Sequence, residues 1–113
     1  AGGGYTCGAL EGGVKPMSCF SGRTYDHFSD LECIRANMFP MARELCDRFE
    51  AEYGAQGGTC TAVQTKLLGK SFDLYRGDRE GFAQSGGHLT ACPSACGKAA
   101  VWTIEILHEH GRI

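Results

Sequence analysis

Cysteine is the residue type with the most chemistry on offer in this chain: there are seven in 113 residues. Three of them recur in matching settings. Cys7 follows Thr6 and opens Cys7-Gly8-Ala9-Leu10-Glu11-Gly12-Gly13-Val14. Cys60 follows Gly57-Gly58-Thr59 and opens a run ending in Leu67-Leu68-Gly69. Cys92 precedes Pro93, with Val101-Trp102-Thr103-Ile104-Glu105-Ile106-Leu107 downstream. Thr before an apolar run is a helix N-cap signal, and Pro favours the first helical position. Each cysteine is therefore predicted to lie in a first helical turn, where unpaired N–H groups and the dipole favour a thiolate. Cys7/Leu10/Val14, Cys60/Val63/Leu67 and Cys92/Ala95/Ala99 repeat one i, i+3, i+7 spacing, so each thiol should face the apolar side of its helix. Three inward thiols at three helix starts suggest one shared sulfur site. The competing reading is three buried small hydrophobes.

A fourth sulfur is close in sequence. Cys92-Pro93-Ser94-Ala95-Cys96 puts two cysteines at i, i+4 on one helix face. A disulfide within one regular turn is awkward, so this spacing favours ligation over bridging. Cys7, Cys60, Cys92 and Cys96 would supply the four thiolates an iron–sulfur cluster typically takes, and zinc would accept the same set. A redox-active thiol pair drawn from these cysteines is a third chemistry. A c-type haem needs Cys-x-x-Cys-His, and no cysteine here begins that run; a thioredoxin-like Cys-x-x-Cys is absent too.

The other candidates are weaker. His108 and His110 suit the C-terminal end of a last helix, where positive charge complements the dipole. His88, just before Cys92, is the histidine closest in sequence to the proposed site, although an exposed loop histidine is the commoner case. Cys19, Cys33 and Cys46 read as structural or as partners in a local disulfide. Trp102, Met38 and Met41 read as core, and Tyr75-Arg76-Gly77-Asp78-Arg79-Glu80 as a solvated charged turn. No Ser/His/Asp nucleophile set or phosphate-cradling glycine motif is convincing.

The elements that must position the cysteines read as all-α, a small compact bundle of about four helices with Gly-rich loops. A flexible lead-in over residues 1–5 gives way to a helix from Thr6 to about Val14, weakened by Gly12-Gly13 and ended near Pro16. Residues 19–28 read as a loop. Ser29 and Glu32 form a capping-box pattern. Leu31, Ile34, Met38, Met41, Leu45, Phe49 and Tyr53 then make one apolar stripe to Gly54, with Pro40 expected to kink or split that helix. Gln56-Gly57-Gly58 is a turn, and a helix spans Cys60–Leu68 with Gly69 as its stop. Residues 70–91 form a long polar stretch, functional or partly structured. A last helix runs from Cys92 or Pro93 to about His110. Its polar strip is Lys98, Glu105 and Glu109, with Cys92, Cys96, Ala99, Ala100, Thr103 and Leu107 opposite.

At this length residues 1–113 should make a single Cys-rich helical domain. A formal net charge of -2 gives no basic footprint for nucleic acid or an anionic membrane, and no apolar run is long enough to span a bilayer. Ala1-Gly2-Gly3-Gly4 lacks the charged and apolar regions of a signal peptide, and a start without Met suits a processed or trimmed chain. An odd cysteine count rules out full internal pairing. That leaves a periplasmic protein with one or two bridges, or an anaerobe's periplasmic or cytoplasmic protein with a metal or cluster site.

Cys7-Gly8-Ala9-Leu10-Glu11-Gly12 resembles the CGAxxG signature of a bacterial and archaeal family of redox-active proteins defined by four cysteines. The resemblance continues through Phe49-Glu50-Ala51-Glu52-Tyr53-Gly54, then Thr59-Cys60 to Leu67-Leu68-Gly69, then Cys92-Pro93 and Ala99-Ala100 to Leu107. It implies an all-helical fold and redox-active cysteines. The related C-terminal part of split-Soret cytochromes implies that such cysteines can hold an iron–sulfur cluster, a [2Fe–2S] centre by preference. Cys7, Cys60 and Cys92 match three of the family's four. The first would fall before residue 1, with the N-terminal helices family members usually have, so Cys96, another local cysteine or a partner chain would complete the set. The expectation is an electron-transfer protein or subunit that works with a redox partner or a larger oxidoreductase complex, and as a dimer where apolar surface needs covering. The alternatives are a thiol–disulfide oxidoreductase and an accessory subunit with zinc or disulfides.

Overall fold

The structure is a computed structural model that describes residues 3–113. Its helices are α1 (Gly8–Ser21), α2 (Met38–Tyr53), α3 (Cys60–Leu68), α4 (Arg79–Gln84) and α5 (Cys92–Glu109). A 3₁₀ turn, Ile34–Asn37, leads into α2, and a π-turn, Gly87–Ala91, leads into α5. Among the described residues there is no strand, only one antiparallel bridge between Thr6 and Thr59. The fold is all-α.

The core lies where α1, α2 and α5 meet. The stripe Met41, Leu45, Phe49 and Tyr53 is buried along α2, as its three- and four-residue spacing requires. Leu10, Gly13 and Met17 face it from α1, and Ala95, Ala99, Ile106 and Leu107 from α5. Small residues on α1 and α5 allow close approach. A Cβ on Gly13 would lie 2.6 Å from both Leu45 Cδ2 and Thr103 Oγ1. Trp102 stands edge-on to Phe49, ring centroids 5.5 Å apart, and closes one end of the core.

The charged strip of α5 is not simply solvated. Arg48 of α2 pairs with Glu105 at 2.6 Å, Glu109 at 3.2 Å and its own neighbour Glu44 at 2.8 Å. Lys98 pairs with Glu52, and His110 Nε2 lies 3.2 Å from Glu44 Oε2. These pairs fix the α2–α5 register along its solvent edge more than they add stability.

Several boundaries differ from the sequence reading. The first helix does not end at Pro16 but runs through it to Ser21. An interior proline costs about 3 kcal/mol, and full burial of Met17 just beyond it offsets about 1.5–3 kcal/mol of that. Cys19 therefore sits on α1, not in a loop. Pro40 neither kinks nor splits α2; it occupies the first turn, where its missing N–H has no intrahelical acceptor to lose. Leu31 and Ile34 drop out of the helical stripe and are exposed. Asp30, not Ser29, organises that start. Its carboxylate accepts the Ile34 N–H at 2.8 Å and the Arg35 N–H at 3.2 Å. The residues 70–91 stretch holds α4 and the π-turn.

Candidate functional site

Residues 4–7 belong to the fold rather than to a flexible lead-in; residues 1 and 2 of that stretch lie outside the described residues. The Gly4 carbonyl accepts from Thr61 Oγ1 at 3.0 Å. The Cys7 N–H donates to the Gly58 carbonyl at 2.7 Å, and the Cys60 N–H donates to the Tyr5 carbonyl. These two bonds flank Thr6 and Thr59, the close, non-hydrogen-bonded kind of antiparallel pair. One short bridge thus clamps the start of α1 beside the start of α3.

Cys7 is itself the N-cap of α1, one place later than the Thr6 cap expected from sequence. Its backbone is extended, and its carbonyl accepts the Glu11 N–H at 3.1 Å. Thr59 caps α3 as expected, with Oγ1 accepting the Ala62 N–H at 3.1 Å. Cys92 begins α5 out of the π-turn, where its N–H bonds to the Gly87 carbonyl. Gly87 must lack a side chain, because a Cβ would lie 2.3 Å from the Phe82 ring. The π-turn is therefore held against α4, and single π-turns recur at functional sites.

The backbone N–H groups of all three cysteines are thus taken up by carbonyls. At Cys60 and Cys92 burial outweighs the thiolate stabilisation expected of a helix start. Burial pushes the Cys60 thiol up, the neighbouring Cys7 adds to that, and a hydrogen bond from Gln64 pulls the other way. Burial pushes Cys92 up as well, followed by the charges of Cys60, Cys7 and Cys96. Cys92 thus feels the charges of Cys60, Cys7 and Cys96, and Cys60 that of Cys7. Cys7 is buried, Cys60 and Cys92 are half-buried, and Cys96 is exposed. The last point departs from the inward direction expected for Cys96. The buried line of α5 runs through Ala95, Ala99 and Thr103, one residue round the helix.

Cys96 instead opens into an apolar cleft of about 380 Å³ between α1 and α5, lined by Gly8, Ala9, Gly12, Pro16, Ala100 and Ile104 among others. Cys19 and Cys33 are exposed and Cys46 is half-buried, each on a separate element. All seven thiols are free, so the local disulfide expected among these three is not formed. His88 is exposed with its ring edge-on to Phe82, 4.7 Å between centroids, which makes it a packing residue of the π-turn.

Two polar residues at the site were not read from sequence. Gln64 is buried and donates from Nε2 to Cys60 Sγ at 3.3 Å. A polar residue four places after a cysteine, on the otherwise apolar Cys60/Val63/Leu67 side, was the available signal. Tyr53 counted only as the end of an apolar stripe. Its hydroxyl is buried without a hydrogen-bond partner. Burial pushes its phenol up, and the charges of Glu52, Cys7 and Cys96 push it further. An orphaned donor beside two cysteines is what a sulfur-rich anionic group would satisfy.

Among the described residues no three or more His, Cys, Asp or Glu side chains already surround one point closely enough to hold a metal ion. A single zinc requires four ligand atoms about 2.0–2.3 Å from one centre. A cluster spreads its thiolates over more than one iron and so tolerates wider sulfur spacing. Cys7, Cys60, Cys92 and Cys96 are the thiols that would hold such a group, with the unpartnered Tyr53 hydroxyl as a donor.

An all-α chain with a convergent cysteine group at three helix starts is a class of protein suited to redox chemistry. Residues 1–106 match the family described as "Putative redox-active protein (C_GCAxxG_C_C)". The chain belongs to that family. Its own motif reads Cys7-Gly8-Ala9-Leu10-Glu11-Gly12, so cysteine precedes glycine where the family's label prints the reverse order. No curated protein and no solved structure matches the chain. No helix among the described residues is long and apolar enough to cross a membrane.

Proposed function

We propose that this protein is an electron-transfer protein or subunit in which Cys7, Cys60, Cys92 and Cys96 hold an iron–sulfur cluster, a [2Fe–2S] centre by preference. What supports this reading is membership of a redox-active family together with Cys7, Cys60 and Cys92 at three helix starts, Cys7 buried and Cys96 exposed. When bound, such a cluster takes up and releases one electron without making or breaking a bond to a substrate.

The chain's own residues would do the rest. The Thr6–Thr59 bridge keeps Cys7 and Cys60 in fixed relation. The π-turn leads into Cys92, and the α1–α5 cleft would give a redox partner access at Cys96. Burial of Cys7 lowers the local dielectric on its side and would strengthen a hydrogen bond to its sulfur. The thiol–disulfide reading is less well supported, because burial disfavours the thiolate nucleophile that exchange requires at Cys60 and Cys92. Metal ligation displaces those protons instead.

The test is iron and acid-labile sulfide analysis, with an absorption spectrum, on protein purified without oxygen. Equal amounts of iron and sulfide with a charge-transfer spectrum are expected. Neither iron nor sulfide would sink the proposal; zinc would favour an accessory role, and a reversible disulfide would favour exchange.

A further inference from the structure

Gln64 is a buried side chain whose two polar ends are both engaged. Its Oε1 accepts the Phe72 N–H at 2.8 Å, and its Nε2 donates to Cys60 Sγ at 3.3 Å. The orientation of this amide follows from its partners. A backbone N–H can only donate, so the oxygen must face Phe72, and the NH₂ group is thereby aimed at the sulfur. Phe72 is in turn buried, its ring edge-on to Phe82 at 5.9 Å. Phe82 packs on Gly87 at the start of the π-turn that delivers Cys92. One amide thus ties α3 and the Cys60 sulfur to the same aromatic pair that supports the Cys92 side of the site.

We infer that Gln64 is a positioning residue for the Cys60 sulfur: anchored on the Phe72 N–H, it holds an N–H donor on that sulfur and so sets the potential of the redox group. The inference rests on the proposed cluster for its redox consequence, but not for its geometry. A donor to a ligand sulfur stabilises the more negative, reduced form. Removing it should make the group harder to reduce. No bond is made or broken at Gln64 in this role; the electron comes from an external chemical reductant and the amide protons stay on nitrogen.

Two variants separate the donor from the anchor. Gln64→Glu keeps an oxygen for the Phe72 N–H but loses the NH₂ donor, whereas Gln64→Met loses both. In protein reconstituted with ferrous iron and sulfide and titrated with dithionite, Gln64→Glu, whose carboxylate adds negative charge beside the sulfur, should shift the reduction equilibrium at least as far as the neutral Gln64→Met, and Gln64→Met about tenfold towards the oxidised form. For a one-electron couple a tenfold shift is about 59 mV lower. In metal-free protein, hydrogen exchange at the Phe72 amide should stay slow in Gln64→Glu and quicken in Gln64→Met. A wild-type potential in Gln64→Met, which loses the donor without gaining a charge, overturns the inference.

A second metal-free measurement keeps it falsifiable without any cluster. Cys60→Ala should move the Gln64 side-chain NH₂ signals in a nitrogen–proton NMR spectrum, while Cys33→Ala should not. Unmoved signals in Cys60→Ala also overturn the inference. Wild-type protein that takes up neither iron nor sulfide would refute the proposed function alone, and the NMR result would then decide the role of Gln64.

Discussion

Gly57→Ala is the substitution whose cost can be worked most directly from this structure. A Cβ at position 57 would lie 2.3 Å from the Phe49 carbonyl oxygen and 2.8 Å from both the Phe49 carbonyl carbon and the Gly54 oxygen. The nearest of these is about 1 Å inside ordinary contact. All three are backbone atoms at the end of α2, and Phe49 is fully buried, so none can swing aside as a side-chain tip would. The turn carrying Gly57 and Gly58 must move instead. That turn supplies the Gly58 carbonyl for the Cys7 N–H, so the Cys7–Cys60 pairing moves with it. Overpacking of this kind costs about 1–3 kcal/mol. The lower entropy of the unfolded alanine chain returns about 0.4–1 kcal/mol, which leaves a net loss of about 1–2 kcal/mol. At about 4 °C per kcal/mol, Tm should fall by roughly 4–8 °C. Thermal unfolding of metal-free protein followed by circular dichroism reads this, and iron content after reconstitution reads the site. Gly12→Ala is the control, since a Cβ there meets nothing within 4 Å, and it should gain about 0.5–1 kcal/mol. A Gly57→Ala protein with wild-type Tm and full iron content would refute the reasoning.

Other outcomes follow from the same packing and charges. Phe49→Ala removes a fully buried ring that touches Tyr53 and Trp102; chemical denaturation should show a loss of about 3–5 kcal/mol. Tyr53→Phe deletes the unpartnered hydroxyl and should stabilise metal-free protein by about 1 kcal/mol; after reconstitution the hydroxyl has a sulfur to serve, and that advantage should shrink or reverse. At Asp30, burial opposes ionisation, yet the hydrogen bond from Arg35 and the N–H groups of Ile34 and Arg35 outweigh it and hold the carboxyl below its ordinary value. Its contribution is therefore complete above the unfolded value of about 3.9 and lost as pH falls through the lower folded value. The Ile34 amide should exchange slowly near pH 5 and lose extra protection near pH 2; protection unchanged between the two, after correction for intrinsic exchange, would contradict that assignment.

The legible parts of this chain were those where local spacing and burial agree. The α2 stripe shows a clear period, α3 has the Thr59 cap with its Gly69 stop, and α5 starts at Cys92 with Pro93 in its first turn. Pro16 misled because a propensity near the middle of α1 was outweighed by burial of Met17, which only the partner helices reveal. Pro40 misled for a related reason: its effect depends on where the helix begins, and Asp30 moved that beginning. For the site, cysteine spacing placed three thiols at helix starts, but not their environment. Burial set by other segments pushes the Cys60 and Cys92 thiols up, against the effect expected of a helix start. Gln64 and Tyr53 were hidden because their roles are set by neighbours far along the chain.

The central claim is that Cys7, Cys60, Cys92 and Cys96 act as one site. Iron and acid-labile sulfide per chain, measured on single-cysteine variants reconstituted without oxygen, tests it most directly. Cys7→Ala and Cys60→Ala should each lose the cofactor, while Cys33→Ala, on an exposed thiol outside the site, should retain the wild-type content. A full complement of iron and sulfide in both Cys7→Ala and Cys60→Ala would contradict the account.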